Sequence, residues 1–416
     1  MKRWFAALVL LTTTMAGAQI SPQFFGLHIQ QPASPWPNSL GIQFSTWRSE
    51  GSGIKWSDIN RAPGVYYWTA LDQWLAANRQ SGEYVLFDIY YTPAWASSCP
   101  TCVCAPYFAL GGCYPPSDLS PDGSGTDQYL KDFVTALLQH VGPGEFKYIE
   151  VWNEPNVNTE YAGTVAQLVR MTSDIRAIAN GYDPNIQIVS PAETGDGSNL
   201  SQMRYLASYL AAGGGQYVDI IALHGYVANP EDIIARINST LSVMSLYGQS
   251  GKPVFVTEGS WWSPTPPYPS SQKPGFTFRH YLSMLSTPVQ RFYLYAYDND
   301  TYGTLWNPHS KQLTQTGTAY ELFYGWLVGT TMTHACQAQP AANTVWSCLF
   351  TKPGGYQAAA VWSTSLPIGQ TINVTAPPQF VRYKDVYGNE YTIVNHQIPI
   401  GFNPIWLESQ ATSRTQ

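Results

Sequence analysis

The stretch Tyr148-Ile149-Glu150-Val151-Trp152-Asn153-Glu154-Pro155-Asn156 reads as a short apolar strand running into a knot of polar side chains. A second stretch, Val254-Phe255-Val256-Thr257-Glu258-Gly259, ends the same way. In each, a carboxylate closes an apolar run, where an unpaired buried glutamate is costly. Outward from these two, apolar strand patterns recur at residues 24–29, 41–47, 84–90, 148–153, 186–191, 218–224, 253–258 and 291–297. Helical patterns lie between them. Over 68–79, Leu71, Trp74 and Leu75 share one face, and over 127–140 Leu130, Phe133, Val134 and Leu137 do the same. Strands alternating with helices over about 300 residues predict a parallel sheet, and eight such units predict a closed (β/α)8 TIM barrel, an α/β fold.

The helical period stops near Leu327. Beyond it, alternating stretches at 344–350, 357–363, 371–375, 382–387, 391–394 and 404–407 are separated by turn signals such as Lys352-Pro353-Gly354-Gly355. This predicts a small C-terminal β-sandwich, with a division into a leader at 1–18, the barrel at 19–328 and the accessory domain at 329–416. The leader rests on Lys2 and Arg3, an apolar run to Leu11 and the small residues Ala16-Gly17-Ala18. That is the layout of a secretory signal peptide, and it predicts a secreted or periplasmic protein.

Export bears on the cysteines. Cys99, Cys102, Cys104 and Cys113 cluster, while Cys336 and Cys348 stand apart. In a reducing compartment the cluster would suggest zinc; in an oxidising one it predicts disulfides. Cys102 and Cys104 are too close to be mates, which leaves two pairings open in the cluster. A Cys336–Cys348 bridge would close a short loop, worth roughly 3 kcal/mol.

Composition narrows the function. Of 416 residues only 12% are charged, and the net charge is -6 with no basic block. Nucleic-acid binding needs concentrated positive charge and is disfavoured. No apolar run past the leader reaches the ~20 residues of a membrane span. The surplus is aromatic, with 15 Trp and 28 Tyr, which suits an uncharged ligand with flat apolar faces, as sugars have. In a barrel of this kind the active site lies where the strands end. Strands four and seven face each other across the mouth, and two facing carboxylates are what glycosidic bond cleavage requires. Singly, Glu154 or Glu258 reads equally well as a structural group paired with arginine; on opposed strands the pair points to chemistry.

The run Trp152-Asn153-Glu154-Pro155 resembles the strand-four signature of clan A glycoside hydrolases, which are (β/α)8 retaining enzymes. The stretches Gly53-Ile54-Lys55-Trp56-Ser57-Asp58-Ile59, Pro63-Gly64-Val65-Tyr66-Tyr67-Trp68 and Tyr91-Thr92-Pro93-Ala94-Trp95-Ala96 resemble bacterial members near family 39, with related family 5-like enzymes. The resemblance implies Glu154 as acid/base and Glu258 as nucleophile, with Asn153 on the substrate 2-hydroxyl. It implies that Arg48 and Tyr226 hold Glu258 ionised, a cation and a donor both lowering a carboxylate pKa, and that His224 positions a carboxylate. The clan floors its sugar subsite with a tryptophan ending strand eight. Here that strand reads Tyr295-Ala296-Tyr297-Asp298-Asn299, with Tyr297 as the match.

Trp36, Trp95, Trp261, Trp262 and Trp306 follow strands and either stack on sugar rings or pack loops; Trp95 and Trp261 lie nearest strand ends. His28, ending strand one, either contacts substrate or is a satisfied barrel residue. Asp298 and Asp300 are expected to be solvated or capping groups, with no metal and no organic cofactor required. The sequence thus predicts a secreted retaining glycoside hydrolase acting on an oligo- or polysaccharide, as a monomer or small homo-oligomer. The rivals are a catalytically silent carbohydrate-binding protein on the same barrel and a transglycosylase using the same residues.

Overall fold

The computed structural model describes residues 17–105, 109–195, 199–261, 269–299, 304–339 and 342–410; most of the leader and Trp262 and Asp300 lie outside them. Eight parallel strands form one sheet: β1 Phe25–His28, β2 Thr46–Arg48, β3 Tyr84–Ile89, β4 Tyr148–Val151, β5 Gln187–Val189, β6 Ile221–His224, β7 Val254–Gly259 and β8 Val289–Leu294. Their order is β5-β4-β3-β2-β1-β8-β7-β6. Parallel bridges Val189–Ile220 and Glu193–Leu223 join the two edges and close the barrel. The helices are α1 Trp56–Ile59, α2 Thr69–Ser81, α3 Gln128–Val141, α4 Val165–Tyr182, α5 Asn199–Ala211, α6 Asp232–Leu246, α7 Lys273–Leu285 and α8 Gln315–Leu327. The faces predicted for α2 and α3 are the ones they bury.

Side chains alternate along each strand, so every second residue fills the barrel interior. Leu86, Tyr148, Val189, Ile220, Ala222, Phe255 and Tyr293 form one such interior cluster. Gly26 belongs to the same level: a Cβ there would come within 2.5 Å of the Tyr293 ring. One step further along the same parity, the fill turns from apolar to ionic, with His28, Arg48, Asp88, Glu150 and His224 all buried. This layer is the floor of the strand-end site.

The hairpin β9 Trp306–Asn307 and β10 Gln312–Leu313 lies between β8 and α8. The C-terminal strands are β11 Thr331–Gln339, β12 Ala342–Lys352, β13 Tyr356–Ser363, β14 Ile372–Thr375, β15 Phe380–Lys384, β16 Glu390–Thr392, β17 Gln397–Ile400 and β18 Ile405–Ser409. Six of them form an antiparallel sheet, β11-β12-β13-β18-β15-β16, and β14 pairs with β17 in a second. The sandwich is therefore lopsided, and β11 and β17 were not among the predicted strands. In β13, Ala359 and Val361 pack against the small sheet, while Ala358, Ala360 and Trp362 join the barrel's core. Both faces of the central strands are covered, which is why β13 reads as a continuous apolar run. Trp362 Nε1 donates to Glu231 (2.7 Å), which Arg279 of α7 holds in a two-pronged ion pair. The accessory domain is thus bolted to the helices behind β6 and β7.

The cysteines pair Cys99–Cys102, Cys104–Cys113 and Cys336–Cys348. The first two pin the loop after β3, which packs on the segment following Glu154 through Ala105 N–Thr159 O (3.2 Å) and Ala162 N–Cys113 O (2.7 Å). No helix among the described residues is long and apolar enough to cross a membrane.

Candidate active site

Glu258 sits at the end of β7 because of a local irregularity. Leu223 pairs with Val256 and His224 with Glu258, so one extra residue, Thr257, interrupts the ladder. Such a bulge re-aims a side chain, and here it brings Glu258 into the interior beside His224. Glu154 follows β4 in the left-handed region (φ 45), as does Trp152 (φ 68). Non-glycine residues held there are strained and persist where surroundings over-determine them; Glu154 N donates to Ala192 O (3.0 Å) and Trp152 Nε1 to Glu160 O (2.9 Å).

Arg48 is the hub. It is fully buried, with Nη1 on Glu258 Oε1 (2.7 Å), Nη2 on Asp88 Oδ2 (3.1 Å) and Asn153 Oδ1 (3.0 Å), and Nε on Glu150. Burial opposes its charge, but Glu150, Asp88 and Glu258 together hold its pKa well above the ordinary value. Tyr226 donates to Glu258 Oε2 (2.7 Å). His224 Nδ1 lies 2.8 Å from Glu154 Oε1 and 3.4 Å from Glu258 Oε2, bridging the two carboxyl groups. Burial pushes the His224 pKa down to about 4, so it serves as a neutral hydrogen-bonding partner near neutral pH. One oxygen of Glu154, one of Glu258 and a His224 nitrogen all lie within 4.8 Å of one another. His28, Glu50 and Glu258 form a second such group. Either set has the spacing to ligate a divalent ion, and an ion in either would occupy Glu258.

Desolvation raises the Glu154 pKa to about 7, against a lowering hydrogen bond from Thr194. It therefore stays protonated through mildly acid pH. For Glu258 the expected lowering is not what the structure gives: burial pushes its pKa up, and His224 and Arg48 pull it only part of the way back. The Arg48 charge is divided among three carboxylates, so Glu258 receives a share of it. If Glu154 is the general acid, it must carry its proton, and the fraction that does falls tenfold per unit above its pKa. We therefore expect kcat/KM to decline above about pH 7. Glu154→Gln, assayed on an aryl glycoside with a good leaving group, should lose that limb; an unchanged limb in the variant would show that another group sets it.

The other predicted residues divide. His28 is buried, with Nε2 on Thr257 O (2.8 Å) and Nδ1 3.6 Å from Glu50. Trp95 and Trp261 are half-buried on catalytic-face loops; Trp95 Nε1 bonds Asn60 O (2.8 Å), and one face of Trp261 stacks on Phe276 at 4.6 Å. Tyr297 is not a subsite floor. It is fully buried, with its hydroxyl on Pro35 O (2.9 Å), because the chain turns beneath the β1 loop after Leu294. The half-open ring at the site is Tyr295, edge-on to His28 (5.0 Å) and Tyr226 (6.1 Å) and bonded by Gln30 Nε2 (2.9 Å). Trp36 also moves: its indole bonds Ser81 at the far end of α2 and packs on Trp47 and Trp74, away from the catalytic face. Asp298 accepts the backbone N–H groups of Gln30 and Gln31, a capping role as expected. Sequence reasoning missed Glu50, Asp88, Glu150 and Tyr295. Strand parity could have found them, since 46-48-50, 86-88-90, 148-150 and 291-293-295 run along the inward side.

Residues 123–320 match the family model described as the glycosyl hydrolase catalytic core. No curated protein matches the chain. Among solved structures it is similar to a family 39 glycoside hydrolase from the gut symbiont Bacteroides cellulosilyticus WH2, with TM-score 0.70, 18% identity, and coverage of 93% of this chain and 81% of that one. It is also similar to a glucosidase from Croceicoccus marinus (TM-score 0.66, 14% identity, 96% and 98% covered). A third is the family 30 subfamily 8 xylanase of Clostridium acetobutylicum (TM-score 0.58, 15% identity, 96% and 97% covered). At these identities the likenesses speak for a shared fold. The core match likens residues 123–320 to the catalytic core of glycosyl hydrolases. In fold the chain resembles the family 39 enzyme.

Proposed function

We propose that the protein is an exported, retaining glycoside hydrolase in which Glu258 attacks the anomeric carbon and Glu154 serves first as acid and then as base. The observation that carries this reading is the carboxyl spacing: oxygens of Glu154 and Glu258 within 4.8 Å. Retaining enzymes place the two groups about 5–5.5 Å apart and inverting ones about 6.5–9.5 Å, the latter leaving room for a water. The environments divide the roles. Glu154 is raised to about 7 and half-open, as a proton donor to a leaving group requires, while Glu258 lies beneath it against Arg48 and Tyr226. Asn153, its Oδ1 taken by Arg48, keeps its amide N–H groups for a sugar hydroxyl. The barrel is assigned to residues 19–328 and the accessory domain to 329–416, with the leader removed after Ala18; three disulfides fit an oxidising destination.

The test is the anomeric configuration of the first-formed product, followed by proton NMR during hydrolysis of aryl glycosides and a polysaccharide panel. Net retention is expected. An inverted product would overturn the double displacement, and absence of turnover across pyranosides and furanosides would favour the silent binding protein.

A further inference from the structure

Glu258 has an unexpected neighbour. Glu50, two residues beyond Arg48 on the same inward side, brings a carboxylate oxygen within 4.8 Å of one of Glu258. Asp88 and Glu150 beneath Arg48 are sealed from solvent, with 0% exposure, whereas the Glu50 side chain keeps 14%, more than the 6% of Glu258. Among the described residues, the Glu50 carboxylate meets His28, 3.6 Å away, and forms no other ion pair or hydrogen bond. Its position is enforced: Gly51 is in the left-handed region (φ +76), its N–H bonds Tyr90 Oη (3.1 Å), and a Cβ there would meet the Gln30 amide at 2.2 Å. That amide is the group that holds Tyr295. Glu50 therefore stands on the wall shared by His28, Tyr295 and Glu258. Burial opposes its ionisation, but His28 and Arg48 outweigh this and keep its pKa below the ordinary value. Arg48 is already engaged by Glu150, Asp88 and Glu258.

We propose that Glu50 is a specificity-determining residue of the sugar subsite: its carboxylate accepts hydrogen bonds from ring hydroxyls of an uncharged glycosyl unit seated on Glu258 and, by its charge, keeps uronosyl units out. The inference rests on the hydrolase reading above. A carboxylate accepts from hydroxyls and offers no donor at neutral pH, and specificity comes from the repulsion a site imposes as much as from its contacts. A uronate in this subsite would bring a third negative charge beside Glu50 and Glu258, where Arg48 is already shared among three carboxylates.

The experiment compares kcat/KM on 4-nitrophenyl glucoside against glucuronide and galactoside against galacturonide, in wild type, Glu50→Gln and Glu50→Asp. Saturation-transfer NMR with the corresponding free monosaccharides reads the same preference without turnover. Wild type should favour the neutral member by about 100-fold or more. Glu50→Gln should narrow that gap at least tenfold, and Glu50→Asp, which keeps the charge, should preserve it. A role limited to packing would lower Tm in both variants and leave the ratio alone. A ratio in Glu50→Gln within twofold of wild type, or a wild-type preference for uronides, overturns the proposal. Selective binding without turnover sinks the hydrolase reading and upholds the Glu50 assignment; neither binding nor turnover sinks both.

Discussion

Replacing Glu258 with alanine is expected to lower kcat on the order of 10⁵-fold, while the variant stays folded. That factor corresponds to roughly 7 kcal/mol of lost transition-state stabilisation. A loss of this size follows if Glu258 forms the covalent bond, because Asp88 and Glu150, sealed under Arg48, are not placed to replace it. Folding should survive because the pocket is rich in carboxylates. Arg48 keeps Glu150 and Asp88 when Glu258 is gone, and the site loses a buried carboxylate whose pKa burial already raises. Added azide should partly restore turnover by entering the vacated space as a nucleophile, giving a glycosyl azide of inverted configuration. Calorimetry alongside steady-state kinetics checks both halves. A fall below tenfold would remove Glu258 from the nucleophile's role.

The second large effect is on stability. Arg48→Met should destabilise the protein by about 3–5 kcal/mol, the usual result of removing one partner from a buried ion pair. Here three carboxylates lose their cation in a site with no access to water for Asp88 and Glu150. The sign of the pH dependence follows from the shifts. Asp88 is already raised well above its ordinary value by burial, with Arg48 pulling it down, and Glu258 is raised against the same pull. Without Arg48 both rise further, so the folded variant binds more protons than the unfolded chain, and its stability falls as pH climbs above the ordinary carboxylate range of about 4. The Tm deficit relative to wild type should therefore be larger at pH 7 than at pH 5. Thermal unfolding at the two pH values decides it; a deficit independent of pH would mean that lost packing, not charge, dominates.

Much of this was legible in the chain. Glu154 and Glu258 each close an apolar strand, and the alternation of two periodicities over residues 24–327 sufficed for the barrel. What escaped was of two kinds. Tyr297 and Tyr295 share one parity, and only the path of the backbone after Leu294 separates the buried ring from the open one. Trp36 follows a strand, yet its loop folds back along α2. Loop direction leaves no periodic trace, because no repeating face must be buried.

The sequence by itself determined the barrel, the accessory β domain and the two glutamates, since period-two and period-3.6 burial and the cost of a carboxylate in an apolar run are local properties. Only the tertiary structure decided which charges meet. Arg48, Glu50, Asp88, Glu150, Glu154 and Glu258 come from four strand ends, and closure of the barrel sets them around one guanidinium. Their ionisation depends on how that single cation is shared under burial, a sum over neighbours that no stretch of chain contains alone.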